Sequence, residues 1–370
     1  MAALATRSVF LVTGIGTAVW APLVPEAKLR LGLDEASLGL MLLALGGGAV
    51  ATMPVAGYLI QRFGGRAVML AGGLAFCAVM PVLAVAPSVV LLVLALALFG
   101  GALGAVDIGM NAQAVVVERA CGRAMMSGFH GAFSLGGLTG AAAMSLLRYL
   151  GLSPLGCAAT MALACGALLL SQVRGMLPGG GVDVAGPGFV LPRGRLLLIG
   201  ALCFTGFLLE GVVLDWSAVF LRFSRNAAAA AAGLGYAAFS LTMTVGRLTG
   251  DAVVQRFRPV PVLVAGSVLA ASGFLLAAGV PGVMPALLGF ALVGVGAANI
   301  VPLLFAAAGR IPGLSPGVAM SAAATPGYAG LLAGPALVGF LAGEAGLPMA
   351  LAAIGLLTLT VAATARRAAG

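Results

Sequence analysis

Three polar residues fall where apolar ones are expected. Asp107 and Asn111 lie inside one long apolar run, and His130, the single histidine of the 370-residue chain, lies inside the next. Asp107 precedes Arg119 by 12 residues, about 18 Å of helix. Asn111 is one turn away on the same face, since residues i and i+4 align. His130 follows Arg123 by 7 residues on what must be an antiparallel neighbour. The three are therefore expected to converge at one depth. An ionisable group in hydrocarbon costs about 2.5–3.5 kcal/mol even on the milder insertion scales, so its presence asks for a purpose. Apolar surroundings disfavour a charged carboxyl, which suits Asp107 to binding and releasing a proton. Asn111 and His130 then offer hydrogen bonds to a substrate. The plainer alternative is a buried contact that locks two helices.

A second acid, Glu210, follows Arg195 by 15 residues, about 22 Å into its own run. It is a candidate for a second coupling carboxylate, with a structural ion pair as the alternative. Asn299 and Tyr328 each lie about a dozen residues from the cytoplasmic end of their runs, hence near mid-bilayer. With Trp20 and Phe129 they could supply hydrogen bonds and ring faces to a small polar substrate, although an aromatic in such a run more often packs. Glu26 is expected to pair with Lys28 or Arg30 nearby.

The elements that carry these residues follow from composition. Hydrophobic residues make up 62% and charged residues 8%, against about 25% charged in a soluble domain. Mean hydropathy is +1.17. Such a chain cannot cover a water-facing surface. Apolar runs long enough to cross a bilayer lie near 7–27, 36–61, 67–86, 88–117, 124–148 and 153–173. After a Gly/Pro/Arg-rich break come 196–221, 227–254, 260–280, 283–308, 316–342 and 346–365. The predicted fold is an all-α membrane protein of 12 transmembrane helices. Its expected division is a bundle over 1–174, a cytoplasmic linker over 175–194 and a second bundle over 195–370.

Placing the N-terminus in the cytoplasm puts 14 of the 19 Lys and Arg on the cytoplasmic side and 5 outside. Cytoplasmic loops carry the basic excess, so both termini are expected inside a bacterial inner membrane. The net charge of +9 sits between apolar runs and forms no stripe suited to nucleic acid. The five cysteines have no CxxC pair and read as small apolar fillers. There is no Walker loop, HExxH or GxSxG, so neither ATP-driven pumping on this chain nor bond chemistry is expected. No metal or cofactor is expected.

Gly57-Tyr58-Leu59-Ile60-Gln61-Arg62-Phe63-Gly64-Gly65-Arg66 resembles the major facilitator loop signature G-x-x-x-D-R-x-G-R-R. It matches at Gly57, Arg62, Gly64 and Arg66 and departs at Gln61 and Gly65. Gln61-Arg62-Phe63 recurs as Gln255-Arg256-Phe257, and Gly246 through Arg256, with Arg247 and Asp251, is similar to a second copy. The resemblance implies a major facilitator fold of two pseudo-symmetric six-helix bundles. It also implies a cytoplasmic gate at these residues, where arginines contact helix ends and carbonyls in one conformation and release them in the other. Losing the acid at Gln61 weakens a charge-based latch, and plain topological anchoring is the alternative.

Asp107-Ile108-Gly109-Met110-Asn111-Ala112-Gln113, Gly128-Phe129-His130 and Glu210-Gly211 resemble uncharacterised bacterial members distantly related to fucose/hexose-type proton symporters. That resemblance adds Gln113 to the substrate candidates and implies a monomeric, proton-coupled transporter of a small, possibly sugar-like metabolite, working by alternating access. An exporter on the same fold is the main alternative, and a non-transporting membrane sensor the remote one.

Overall fold

The structure is a computed structural model. It describes residues 1–33, 35–179, 190–227, 231 and 234–370, with the side chains at 21, 25, 28, 35–40, 42 and 335 outside the description. Residues 180–189 of the expected linker, and the Lys28 side chain, therefore lie outside it.

The described residues form helices and no strand. In hydrocarbon a backbone must satisfy its own hydrogen bonds, and a helix does so within one segment. The helices are α1 (Ala2–Leu31), α2 (Glu35–Phe63), α3 (Gly65–Val85), α4 (Val89–Cys121), α5 (Met126–Tyr149), α6 (Pro154–Ser171), α7 (Gly194–Val219), α8 (Leu234–Phe257), α9 (Pro259–Gly279), α10 (Val283–Ala297), α11 (Ile300–Ala308), α12 (Pro316–Ala345) and α13 (Leu347–Ala369). Helices α10 and α11 form one span, Val283–Ala308, interrupted at Ala298 and Asn299. Thirteen helices thus make the 12 transmembrane rods, six in each of two pseudo-symmetric bundles. Ten rods are long and apolar enough to cross a membrane on that criterion alone. The remaining two, α5 and α8, are as long, at 24 residues each. They are diluted by the polar side chains discussed below.

Two compact units emerge from the packing. The first comprises Met1–Gly122, Phe129–Leu191 and Ile311–Ser321, and the second Arg123–Gly128, Pro192–Arg310 and Ala322–Gly370. In the first unit the core joins Trp20, Leu23, Phe76, Met80, Phe99 and Cys165, with Phe76 and Phe99 stacked at 4.3 Å. Where α2 meets α4, a Cβ on Gly48 or Gly100 would collide with the backbone of the other helix. Small residues permit such close approach where helices have no hydrophobic force between them. Gly64 turns the chain from α2 into α3 at φ +86°, a conformation that costs a side-chain-bearing residue strain.

One device recurs in both units. Arg30, at the end of α1, donates to the carbonyls of Leu83, Ala84 and Ala86 at 3.2, 2.6 and 3.1 Å, at the C-terminus of α3. Arg225, beyond α7, donates to Ala277 and Ala278 of α9, both at 2.7 Å, with its guanidinium 4.5 Å above the Phe220 ring. Both arginines satisfy orphan carbonyls and complement the negative end of the helix. Burial lowers the pKa of Arg225, beyond the spans, although a guanidinium keeps its charge. The expected Glu26–Arg30 pair is corrected here: Glu26 pairs with Arg148 at 2.9 Å, because the guanidinium of Arg30 is drawn to the helix end.

Candidate functional site

In the first unit, Asp107, Asn111 and His130 meet as the helix arithmetic required. All three are buried, at 7%, 1% and 8% exposure. Asn111 Nδ2 donates to the Asp107 carbonyl at 2.9 Å and to Asp107 Oδ1 at 3.3 Å. His130 Nε2 lies 3.1 Å from Asn111 Oδ1. A backbone carbonyl can only accept, so the amide nitrogen of Asn111 must face Asp107 and its oxygen must face His130. Hence His130 Nε2 carries a hydrogen, and donation runs from His130 through Asn111 to the carboxyl. Asp107 Oδ2 is buried and makes no hydrogen bond among the described residues. An unpaired buried carboxylate oxygen is costly; a protonated carboxyl lowers that cost.

The other candidates in this unit are used for packing. Phe129 is fully buried and stacks on Phe10 at 5.8 Å, while Phe10 lies 5.2 Å from the His130 ring. Phe129 therefore supports the Phe10 ring beside the histidine and is fully buried here. Trp20 sits in the core, 6% exposed, with Nε1 unbonded among the described residues. Gln113 donates to Thr6 Oγ1 at 2.8 Å and accepts from the Leu177 amide at 2.8 Å. Its amide ties α1, α4 and the segment after α6 together.

The loop between α2 and α3 supplies contacts to carbonyls and helix ends within the same unit. Arg66 donates through Nε to the Met176 carbonyl at 2.9 Å, and through Nη2 to the same oxygen. Arg62 instead bonds Tyr58 Oη at 3.0 Å. Gln61 donates to Ser315 Oγ at 3.0 Å, and Ser315 Oγ accepts from the Val318 amide at 3.4 Å in the first turn of α12. Gly57 lets α2 approach this turn: an added Cβ would lie 2.9 Å from Ser321 Cβ. The neutral Gln61 thus reaches a helix N-terminus by hydrogen bonding where the family signature has an acid.

In the second unit, Glu210 of α7 pairs with Arg247 of α8, Oε1 to Nη2, at 2.8 Å. Their side chains are 18% and 7% exposed, and Arg247 Nε also approaches the Ala298 carbonyl at 3.4 Å. This corrects the expected place of Arg247 at the cytoplasmic gate. It lies 10 residues inside the end of α8, about 15 Å in. Removing it from the cytoplasmic set leaves 13 basic residues against 5, and the asymmetry stands.

Asp251 Oδ2 accepts from the Gly128 amide at 3.1 Å, in the first turn of α5, where exposed N–H groups and the helix dipole favour an anion. Beside it, Ser127 Oγ donates to Asn299 Oδ1 at 2.6 Å, and Asn299 Nδ2 approaches the Gly246 carbonyl at 3.4 Å. Gly250 makes room, since an added Cβ would strike the Asn299 amide. Asn299 is therefore tied to this cluster. Arg256 is exposed at the end of α8. Tyr328 is half-buried and tilts against Phe207 at 5.2 Å, and Phe207 lies 6.2 Å from Phe305. Phe207 was not singled out in the sequence, although it sits one turn before Glu210 on the same face. Among the described residues, no group of three or more His, Cys, Asp or Glu is placed to hold a metal.

No family model matches the chain. An uncharacterised MFS-type transporter of Yersinia pestis is 47% identical over 361 residues, covering 98% of this chain and 94% of that protein. Among solved structures, the fucose:proton symporter FucP of E. coli superposes with a TM-score of 0.78 at 16% identity, covering 98% of this chain and 97% of that one. The proton:xylose symporter XylE superposes with a TM-score of 0.74 at 15% identity, covering 98% and 94%. Those two likenesses carry the fold alone. The Yersinia relative, nearly half identical over almost the whole length, carries the family: this chain is a transporter of the major facilitator superfamily.

Proposed function

We propose that this protein moves a small polar metabolite across a bacterial inner membrane together with a proton. The observation that carries the reading is the buried chain from His130 through Asn111 to Asp107, which ends on a carboxylate oxygen that makes no hydrogen bond among the described residues. A proton on Oδ2 relieves that oxygen, and its release restores the charge; a group with two such states can link a proton gradient to a conformational equilibrium. The fold is shared with FucP and XylE, which are proton symporters of sugars; the coupling ion and a sugar-like cargo are extended from them to this chain. In this reading the halves 1–174 and 195–370 act as rocking bodies about a central site. A monomer with both termini in the cytoplasm suffices. The Asp251 contact at α5 and the Gln61 contact at α12 form in one conformation and open in the other.

The test uses proteoliposomes and radiolabelled D-xylose, D-mannitol and myo-inositol. Asp107→Asn is expected to abolish gradient-driven accumulation while retaining exchange of unlabelled for labelled substrate. Full accumulation by that variant removes the coupling role. Proton-driven movement in the outward sense, read in everted vesicles, replaces uptake by export.

A further inference from the structure

We infer that the break at Ala298 and Asn299 is a hinge within the second unit, about which α11 moves with α7 while α10 stays with α8 and α9. The inference rests on the transport reading above and adds to it a moving part.

The sequence itself makes the break. Pro302 carries no backbone N–H, so the carbonyl of Ala298, one helical turn earlier, loses its usual donor, and the proline ring crowds that oxygen. Asn299 departs from helical geometry, at φ −108° and ψ −1°. A buried carbonyl freed in this way needs another partner, and α8 supplies one. Arg247 Nε donates to the Ala298 carbonyl at 3.4 Å, and Asn299 Nδ2 donates to the Gly246 carbonyl, also at 3.4 Å. Gly246 lets α8 come this close, since an added Cβ would lie 2.7 Å from Ala298 Cβ. Two successive residues of α8 thus hold the two residues of the break.

The two pieces of the span have different neighbours. α10 packs chiefly on α8 and α9, and α11 chiefly on α7. The α10 contacts are backbone to backbone. A Cβ on Gly289 or Gly296 would strike a carbonyl of α9, and one on Gly294 would strike the Phe239 carbonyl of α8. Thr242 Oγ1 of α8 also donates to the Ala291 carbonyl at 2.8 Å. Contacts this close hold α10 in one register. α11 meets α7 through side chains instead: Val301 and Ile300 lie over Gly206, and Phe305 tilts against Phe207 at 6.2 Å. α11 is nine residues of a 26-residue span, and with both termini cytoplasmic it is the cytoplasmic third. Turning at the break therefore opens or narrows the cytoplasmic end of the second unit while α10 keeps its place. Hinges absorb such a change in a few backbone angles.

The experiment compares wild type, Pro302→Ala and Pro302→Gly. Alanine restores the N–H and favours helix, so one recovered hydrogen bond should bias the break toward straight helix by about fivefold. Glycine restores the N–H but disfavours helix by about as much, so it should leave the break near its wild-type balance. With the full chain in lipid nanodiscs, backbone hydrogen exchange in wild type should be faster at 299–301 than at 287–294, and Pro302→Ala should slow it at 299–301 by about fivefold. In proteoliposomes, exchange of labelled D-xylose, D-mannitol or myo-inositol should fall by the same factor in Pro302→Ala and by less in Pro302→Gly. A packing role alone would reverse that order, because glycine leaves the larger void. Wild-type hydrogen exchange at 299–301 as slow as at 287–294 overturns the inference. So does a Pro302→Ala chain that transports as fast as wild type, or a Pro302→Gly chain slower than Pro302→Ala. A wild type that moves none of the three compounds counts against the transport reading instead, and hydrogen exchange then decides the hinge by itself.

Discussion

Replacing Arg247 by Gln should destabilise the protein, and replacing Glu210 by Gln at the same time should restore most of the loss. Removing one partner of a buried pair costs about 3–5 kcal/mol, because the other charge stays buried and uncompensated. Glu210 keeps 18% of its side chain exposed, and the Arg247–Ala298 hydrogen bond, at 3.4 Å, is long, so the lower part of that range applies, about 3 kcal/mol. Glutamine at both positions leaves two neutral amides that can bond each other, with a residual cost of about 1 kcal/mol. Adding Glu210→Gln to Arg247→Gln should then recover about 2 kcal/mol of the loss, so the double variant is more stable than the single one. The assay is denaturant-induced unfolding in detergent, followed by loss of helical circular dichroism, for wild type, both single variants and the double variant. Additive single-variant losses would refute the reasoning, as would an Arg247→Gln midpoint equal to wild type. Either result would mean that water compensates the charges and that the pair contributes nothing to the interior.

Two other outcomes follow from the geometry. Arg30→Ala and Arg225→Ala each remove charged hydrogen bonds to the carbonyls ending α3 and α9, so each should cost about 1–3 kcal/mol, read as a lower unfolding midpoint; being in separate units, their costs should add. Asp251→Asn keeps an acceptor for the Gly128 amide but removes the anion from the α5 N-terminus, worth about 0.3–1 kcal/mol. It should shift the balance between conformations by up to about fivefold, measured as alkylation of a cysteine introduced beside Ser127 in a background that keeps the native cysteines.

Much of the architecture was legible because lipid imposes a length and a composition on every span. The 283–308 run was readable as one rod even though the helix breaks at Ala298 and Asn299, since hydropathy does not register a missing backbone bond. Asp107, Asn111 and His130 were legible for a related reason: rise per residue and distance from a basic anchor fix depth, and i+4 spacing fixes the face. What stayed hidden depends on partners distant in sequence. Arg247 follows Gly246 in a stretch similar to a cytoplasmic signature, and only the position of Glu210, 37 residues away, shows that its guanidinium points inward. Asn299 lay at a plausible depth, but the gap left by Gly250 draws it toward Ser127. Phe129 and Gln113 are neighbours of the hydrogen-bonded Asp107, Asn111 and His130, and their engagement by Phe10, Thr6 and Leu177 has no local signal.

The most direct test of the account is proton movement itself. Proteoliposomes loaded with a pH dye, with no imposed gradient, receive D-xylose, D-mannitol or myo-inositol outside. The account predicts that a transported compound carries protons inward with wild-type protein, acidifying the lumen. It predicts no pH change with Asp107→Asn, although labelled substrate still equilibrates. Acidification that persists in Asp107→Asn, or substrate entry by wild type with no proton movement, would contradict it.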